Sequence, residues 1–380
     1  MNPQVIFSVG VPIPGEGMGN HAYYLAEGLH RHDMLQRAFV MQYRGEHPFS
    51  PAIRTVYWTE RIAYRLARYV RANQYVLRDN LFDLWVSRHL NDANIFYGWT
   101  HHALYSLKQA RRRGMITVLE RANAHPLTTI RLLDAEYKRR GSTQPVYHPQ
   151  ILKKQLKELE CADYIGVTSE WTRQSLIENG IAENRILLTP LGVDSARFIS
   201  ADAPPDEIFR VLYVGQLRLR KGVQYLLEAW EALRLKKAEL LLVGDVVPEF
   251  EPILRQYLPR NSTIKLLGHA DDAVRVYQQA SVCVLPTLED GFGLVVLEAM
   301  ACGVPVIITE QTGAKDCVRR DVDGFVLPSA DAGRIADTLE YCSEHRDQLL
   351  SMGRQARQQA KQFSWTRYQD GVASHLNRLA

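Results

Sequence analysis

Residues 288–308 read LEDGFGLVVLEAMACGVPVII, in which two acids, Asp290 and Glu298, bracket an otherwise apolar run. A carboxylate in such surroundings needs a partner, because an unpaired buried charge is costly. A helix opening after the GFG turn would leave the amides of Phe292, Gly293 and Leu294 unpaired at its positive end, where an anion is favoured. With Asp290 in the loop, the helix can return Glu298 toward the same cleft. Carboxylates there accept hydrogen bonds from ribose or sugar hydroxyls. The same residues also fit a helix cap with one satisfied acid.

Upstream, VGQLRLRKG (214–222) sets Arg218, Arg220 and Lys221 just after an apolar strand pattern. Ligands of open α/β sheets bind at that carboxyl edge. Guanidinium offers a fork and ammonium a point charge, so two cations beside an anion-receptive helix end suggest a diphosphate. A second glycine loop, PGEGMGN (14–20), departs from the dinucleotide-binding GxGxxG pattern. Its amides can still cradle an anionic or polyhydroxy ligand. GxxxxGK[ST] is absent, which disfavours a P-loop kinase or ATPase, and His101–His102 are adjacent rather than at metal-ligand spacing, so no metal site is expected.

These segments need scaffolds. QVIFSVG (4–10), NIFYGW (94–99), MITVLERA (115–122) and YIGVTS (164–169) are short apolar runs, each followed by a helical pattern, with Ser169 placed as a helix cap. A second alternating series runs through FRVLYVGQL (209–217), AELLLVGD (238–245), TIKLLGH (263–269), SVCVLPT (281–287), VPVIIT (304–309) and GFVLP (324–328). Such alternation predicts parallel sheets covered by helices, an α/β chain with two doubly wound domains. The expected division is residues 1–195, a connection at 196–208 rich in proline and acids, and 209–362. A last helix over 363–380 needs something to pack on.

The chain of 380 residues carries a net charge of +4, distributed unevenly. Residues 1–200 hold 25 Lys and Arg against 18 Asp and Glu, whereas the remainder is acidic. Within the basic half, Arg61, Arg65, Arg68 and Arg71 recur at helical spacing among Leu, Tyr and Trp, and Arg111–Arg113 follow. That pattern reads as a solvated helix face or as contact with an anionic membrane surface. No recognisable motif accompanies it for nucleic acid. Five scattered cysteines without close ligand spacing, and an amino terminus without a basic leader and apolar run, lead us to expect reduced thiols in a cytoplasmic chain.

Taken together, PGEGMGN, SEWTRQSLIENG, ILLTPLGVDSARF, VLYVGQLRLRKGVQYLLEAW, LLLVGD, IKLLGH and PTLEDGFGLVVLEAMACGVPVIITEQTGAKDCV resemble the retaining glycosyltransferases of family 4. The resemblance covers nearly the whole chain and implies a GT-B architecture, two Rossmann-like domains facing across a cleft, with the last helix crossing back to the first domain. It implies a nucleotide-diphosphate sugar as donor, no required cofactor, and a glycan, glycolipid or small-molecule acceptor hydroxyl. In that picture Glu298 contacts the ribose and Asp290 the transferred sugar, Arg220 and Lys221 neutralise the diphosphate, and Gly17 and Gly19 close on it from the N-terminal side.

Three departures stand out. Asp290 replaces the family's usual Glu, with Glu289 adjacent; Gln216 replaces a common Arg; and the strand TVL ends in Glu120–Arg121, with His125 close behind, where many members have a His. Glu120, Arg121 and His125 are therefore expected to shape the cleft, with His102 a further candidate. A nucleotide-sugar 2-epimerase and a non-catalytic sugar-nucleotide-binding scaffold are the competing readings.

Overall fold

The computed structural model describes residues 2–70, 73–142, 145–201, 206–270 and 272–380. Arg71 and the side chain of Arg68, both part of the basic helical pattern, lie outside the described residues, as does the middle of the expected connection at 196–208. Seven parallel strands form the first sheet: β1 (Val5–Ile13), β2 (Leu35–Tyr43), β3 (Ile53–Thr55), β4 (Ile95–Trp99), β5 (Ile116–Arg121), β6 (Tyr164–Val167) and β7 (Ile186–Leu188). They lie in the order 3-2-1-4-5-6-7. The helices between them are α1 (Met18–Arg31), α2 (Trp58–Val70), α3 (Gln74–Arg88), α4 (Leu104–Arg112), α5 (Pro126–Arg139), α6 (Pro149–Cys161) and α7 (Glu170–Glu178).

The second sheet comprises β8 (Phe209–Val214), β9 (Ala238–Val243), β10 (Ile264–Gly268), β11 (Val282–Leu285), β12 (Val306–Thr309) and β13 (Gly324–Leu327). Its order is 10-9-8-11-12-13, again all parallel. The helices of this half are α8 (Val223–Ala232), α9 (Glu251–Tyr257), α10 (Ala273–Gln278), α11 (Leu294–Ala301), α12 (Ala332–Glu344) and α13 (Arg346–Ala360), followed by α14 (Trp365–Leu379). Both orders reverse direction beside their first strand, and the loops leaving that switch point carry the glycine loop and the Arg218–Lys221 segment.

Both faces of each sheet are covered, which explains apolar runs in place of alternation. In β1, Val5, Phe7 and Val9 enter the core shared with Leu25 and Leu29 of α1, while Ile6 points to the opposite core with Phe82 and Leu107. The structure adds β2, β3 and β7, which the sequence pattern did not resolve. β3 and β7 are three residues each and lie at sheet edges, too short to show a period. Ser169 caps α7, accepting from the Thr172 amide at 3.1 Å.

Crossing back, α14 packs against α1. Trp365 stacks on Tyr24 with centroids 4.0 Å apart, and Gln369 donates to the Tyr24 carbonyl (3.1 Å) and to Glu27 (2.8 Å). The chain enters and leaves the second domain side by side, where the Val193 amide donates to the Phe363 carbonyl at 2.9 Å. A Cβ on Gly192 would lie 2.2 Å from the Ser364 carbonyl carbon, so glycine is required for that approach.

Beneath α14 lies a buried polar network. Tyr97 of β4 donates to Glu120 of β5; Glu120 Oε1 stands 3.6 Å from His21 Nε2 on α1; and that nitrogen is 2.7 Å from the Tyr368 hydroxyl of α14. Burial raises the Glu120 carboxyl to about 7, the Tyr97 hydrogen bond opposing only part of the shift. Burial also lowers His21 to about 3, keeping its ring neutral.

Two outcomes follow from this packing. Trp365→Ala should cost about 3 kcal/mol of unfolding free energy by removing a buried stacked ring, read from urea denaturation; a change within a few tenths would show that α14 is not anchored there. Glu120 holds its proton in the folded state up to about 7, against an ordinary value of 4.5, so its contribution is fully present below 4.5 and is lost as pH climbs toward 7. Relative to Glu120→Gln, which cannot ionise, wild-type stability should fall by roughly 2–3 kcal/mol across that window. Paired denaturation curves giving a pH-independent difference would contradict this.

Candidate functional site

The Arg218–Lys221 segment leaves β8 at its carboxyl end and closes in a single 3-10 turn, Leu219–Lys221, capped by Gly222 in the left-handed region. Thr287, in the loop after β11, holds this turn, its hydroxyl donating to the Arg220 carbonyl at 3.0 Å, while the Leu288 amide donates to the same carbonyl at 2.9 Å. The turn thereby faces the acidic loop. Arg220 Nη1 donates to Glu289 Oε2 at 2.9 Å, and Lys221 Nζ donates to Asp290.

Four charges are thus matched in a site largely removed from water. Burial works against the Arg220 charge, but Glu289 and Asp290 outweigh it and hold the guanidinium more firmly protonated than usual. Burial also draws the Lys221 ammonium below its ordinary range, and Asp290 offsets this only in part. For Asp290, burial opposes ionisation, yet Lys221 and Arg220 together hold its carboxyl below the usual range. An anion reaching these cations has to displace or share them with the carboxylates.

Next in the chain is the turn into α11. Gly293, the N-cap of α11, has φ of +86°, a conformation that a side chain disfavours, and no side chain caps the helix. Gly293 and Leu294 therefore open α11 with amides that no preceding helical carbonyl can satisfy. The Phe292 amide lies close enough to the Asp290 carboxylate to help hold it ionised, and the Phe292 ring is buried. Glu298, one turn along α11, accepts from the Tyr277 hydroxyl of α10 at 2.7 Å. Burial raises its carboxyl, with Tyr277 and Arg197 pulling the other way.

Arg218 lies near Tyr137 of α5, across the domains, and its charge opposes part of the rise that burial gives the Tyr137 hydroxyl, while its Nε has no partner. Gln216 behaves as a backbone element: its carbonyl accepts from Tyr213 at 2.7 Å and its residue is exposed. On the N-terminal side Gly17 caps α1 with φ of +51° and open space around it, whereas Gly19 is pressed against the Pro12 carbonyl. The loop faces the second domain, since Glu16 Oε1 is 3.4 Å from His269 Nδ1 after β10.

Glu120 and its neighbours, expected to shape the cleft, have side chains engaged in the first domain. Glu120 turns toward α14 through Tyr97 and His21, because its strand neighbour Arg121 takes the alternate direction. Arg121 is itself buried, its guanidinium donating to Asn123 O (3.0 Å), Ala124 O (3.2 Å) and Gln155 Oε1 (2.6 Å), so it shapes the following loop from beneath. His125 caps α5 through Nδ1, and its amide donates to Ser175 at 2.9 Å; burial and Arg121 lower its ring to about 4. His102 is buried with its ring against Gly10 and Phe82, Nε2 lying 3.5 Å from Asp79 and Nδ1 without a partner. The side chains of these residues are engaged within the first domain.

Sequence spacing missed what joins the two halves. Glu289 Oε1 accepts from the Ala124 amide at 3.1 Å, across the domains. Ser169 and Thr172 donate to the Gly291 carbonyl at 2.6 and 3.2 Å, and the Glu170 amide donates to Asp316 at 2.8 Å. A Cβ at Gly291 would sit 1.7 Å from the Ala122 carbonyl oxygen. The glycine of EDGFG thus permits interdomain contact. Along α5, Glu136 accepts from Gln224 (3.0 Å) and Tyr225 (2.8 Å) of α8, and Arg140 donates to Glu228 (2.6 Å). The acid beside Asp290 was the one visible signal; its partner across the domains was not. Among the described residues no group of three His, Cys, Asp or Glu is arranged to hold a metal ion.

Comparison with known proteins agrees with this architecture. Residues 208–345 match the family model described as Glycosyl transferases group 1. The capsular polysaccharide biosynthesis glycosyltransferase CapM of Staphylococcus aureus is 31% identical over 199 residues, covering 47% of this chain and 52% of that protein. The chain spans about half the length of the curated relatives it matches first. Sucrose-phosphate synthase from Thermosynechococcus elongatus superposes with a TM-score of 0.74, at 20% identity and 99% coverage of each chain. Anabaena Alr3699/HepE, solved in complex with UDP, gives 0.72 at 16% identity, covering 99% of this chain and 100% of that one. Two Rossmann-like domains face each other in a GT-B fold, and the second of them carries the match to the group 1 glycosyltransferase model.

Proposed function

We propose that this chain is a retaining glycosyltransferase of family 4, moving a sugar from a nucleoside-diphosphate sugar to an acceptor hydroxyl. The observation that carries the reading is the convergence of Arg220, Lys221, the uncapped start of α11 and two acids at the carboxyl edge of the second sheet. HepE, of the same fold, was solved with UDP. That likeness supports a nucleotide as the ligand of the second domain. The family match is to transferases, which does not favour the epimerase alternative.

In this reading the diphosphate binds Arg220, Lys221 and the amides of Gly293 and Leu294, with Gly17 and Gly19 approaching from the first domain. The bond from the anomeric carbon to the β-phosphate oxygen breaks, and negative charge grows on the departing diphosphate. Fixed cations and amides stabilise that charge without having to reorganise as the bond breaks, and such preorganised electrostatics is what most often dominates enzymatic rate enhancement. The acceptor oxygen attacks the same face of the sugar, forming the new glycosidic bond while its proton passes to the departing phosphate oxygen. Asp290 and Glu298 orient hydroxyls, of the sugar and ribose respectively, and neither serves as a nucleophile. Protein cations supply the positive charge, so turnover is metal-independent.

The acceptor is assigned to a glycan or glycolipid at an anionic membrane face, in polysaccharide or glycolipid synthesis. CapM is named for capsular polysaccharide biosynthesis, which supports a polymer product. The surface of α2 supports the membrane contact. Trp58, Ile62, Tyr64 and Leu66 are exposed on it, Tyr57 and Tyr75 flank it, and Arg54, Arg61 and Arg65 are exposed alongside. Large apolar side chains clustered with cations suit an anionic bilayer interface, where burial and charge attraction add. No described helix is long and apolar enough to cross a membrane.

Two experiments check this. A panel of UDP-, GDP- and ADP-sugars with glycan and glycolipid acceptors should give acceptor-dependent nucleoside diphosphate release that persists in EDTA. Lys221→Ala and Glu298→Ala should each cut kcat/KM at least about a hundredfold; near-normal turnover in both would remove the assigned site. In sedimentation assays the chain should bind vesicles containing phosphatidylglycerol and not pure phosphatidylcholine. The double variant Trp58→Ala/Arg61→Gln should weaken that binding about tenfold or more. Equal binding of both proteins would dismiss α2 as the contact.

A further inference from the structure

We infer that Glu289 is a positioning residue that ties the donor's diphosphate to the contact between the domains, by competing with it for Arg220. The inference rests on the proposed role of Arg220 at the diphosphate.

Glu289 is fully buried, and its two oxygens serve different domains. Oε2 accepts from Arg220 at 2.9 Å within the second domain, and Oε1 accepts from the Ala124 amide at 3.1 Å in the first. The receiving loop is itself fixed, since Arg121 donates to the carbonyls of Asn123 and Ala124 from below. Hydrogen bonds therefore run without a break from Arg220 through Glu289 and Ala124 to Arg121. Asp290, the next residue, is paired separately with Lys221, so the two acids are not interchangeable.

A buried carboxylate depends on its counter-charge. With Arg220 given wholly to Glu289, the Ala124 bridge is held by a well-matched ion pair. A diphosphate at Arg220 is a second, more highly charged anion on the same guanidinium, and it weakens the hold on Glu289. Linkage makes the effect reciprocal: the Glu289 charge must lower affinity for diphosphate by the same factor. This favours departure of the nucleoside diphosphate product after transfer.

The test titrates UDP, GDP and ADP calorimetrically into the full chain, using whichever binds wild type tightest for the variants. Glu289→Gln, which keeps the size and removes the charge, should bind about fivefold or more tighter and turn over with lower kcat. Glu289→Asp, which keeps the charge, should bind within about twofold of wild type. Arg220→Gln/Glu289→Gln should bind no tighter than Arg220→Gln alone. Unchanged or weaker binding by Glu289→Gln, or tightening by Glu289→Asp to the same degree, overturns the competition. Independently of any variant's folding, hydrogen exchange of wild-type peptides spanning 122–125 should quicken with the nucleotide bound, and slower or unchanged exchange overturns the coupling. If Arg220→Gln binds as wild type does, or if none of the three nucleotides binds wild type, the reading of Arg220 or of the donor site fails instead.

Discussion

Pairing of Arg220–Lys221 with Glu289–Asp290 is the constraint around which the rest of this structure is arranged. Two cations and two acids are removed from most of their water at one sheet edge, and each charge is tolerable only because another faces it. That requirement fixes the 3-10 turn after β8, held by Thr287 and Leu288, and it fixes the acidic loop after β11. It also leaves the cations close to the uncapped end of α11, so that an anionic ligand meets positive charge from side chains and backbone together.

The same loop performs a mechanical task. Gly291 allows the backbone of the second domain to press on Ala122, and its carbonyl accepts from Ser169 and Thr172 of the first. Glu136, Arg140 and their partners on α8 add a polar contact along α5, while α14 packs on α1. The matched charges and the domain contact are therefore built from adjacent residues of one loop.

Much of the fold was legible in sequence because strands buried on both faces read as apolar runs and each is followed by a helical pattern. Edge strands β3 and β7 were not, being too short to carry a period. In the site, the order of types around Asp290, Glu298, Arg220 and Lys221 was legible, since turn glycines and post-strand cations are local features. The direction of Glu120 was not legible, because a side chain at a strand's end points according to what packs above it, here Tyr97, His21 and the returning α14. Arg121, His102 and His125 were read by residue type, and their burial was not legible in the sequence.

The sequence by itself determined the alternating elements, the glycine turns and the presence of opposite charges near strand ends, all properties set within a few residues. Only the tertiary structure decided which acid meets which cation, and that one carboxylate spans both domains. Arg220 and Glu289 are 69 residues apart, and Glu289 and Ala124 are 165 apart. Partners at such separations are chosen by how whole sheets pack and by the cost of leaving any buried charge unmatched, and neither is written in local spacing.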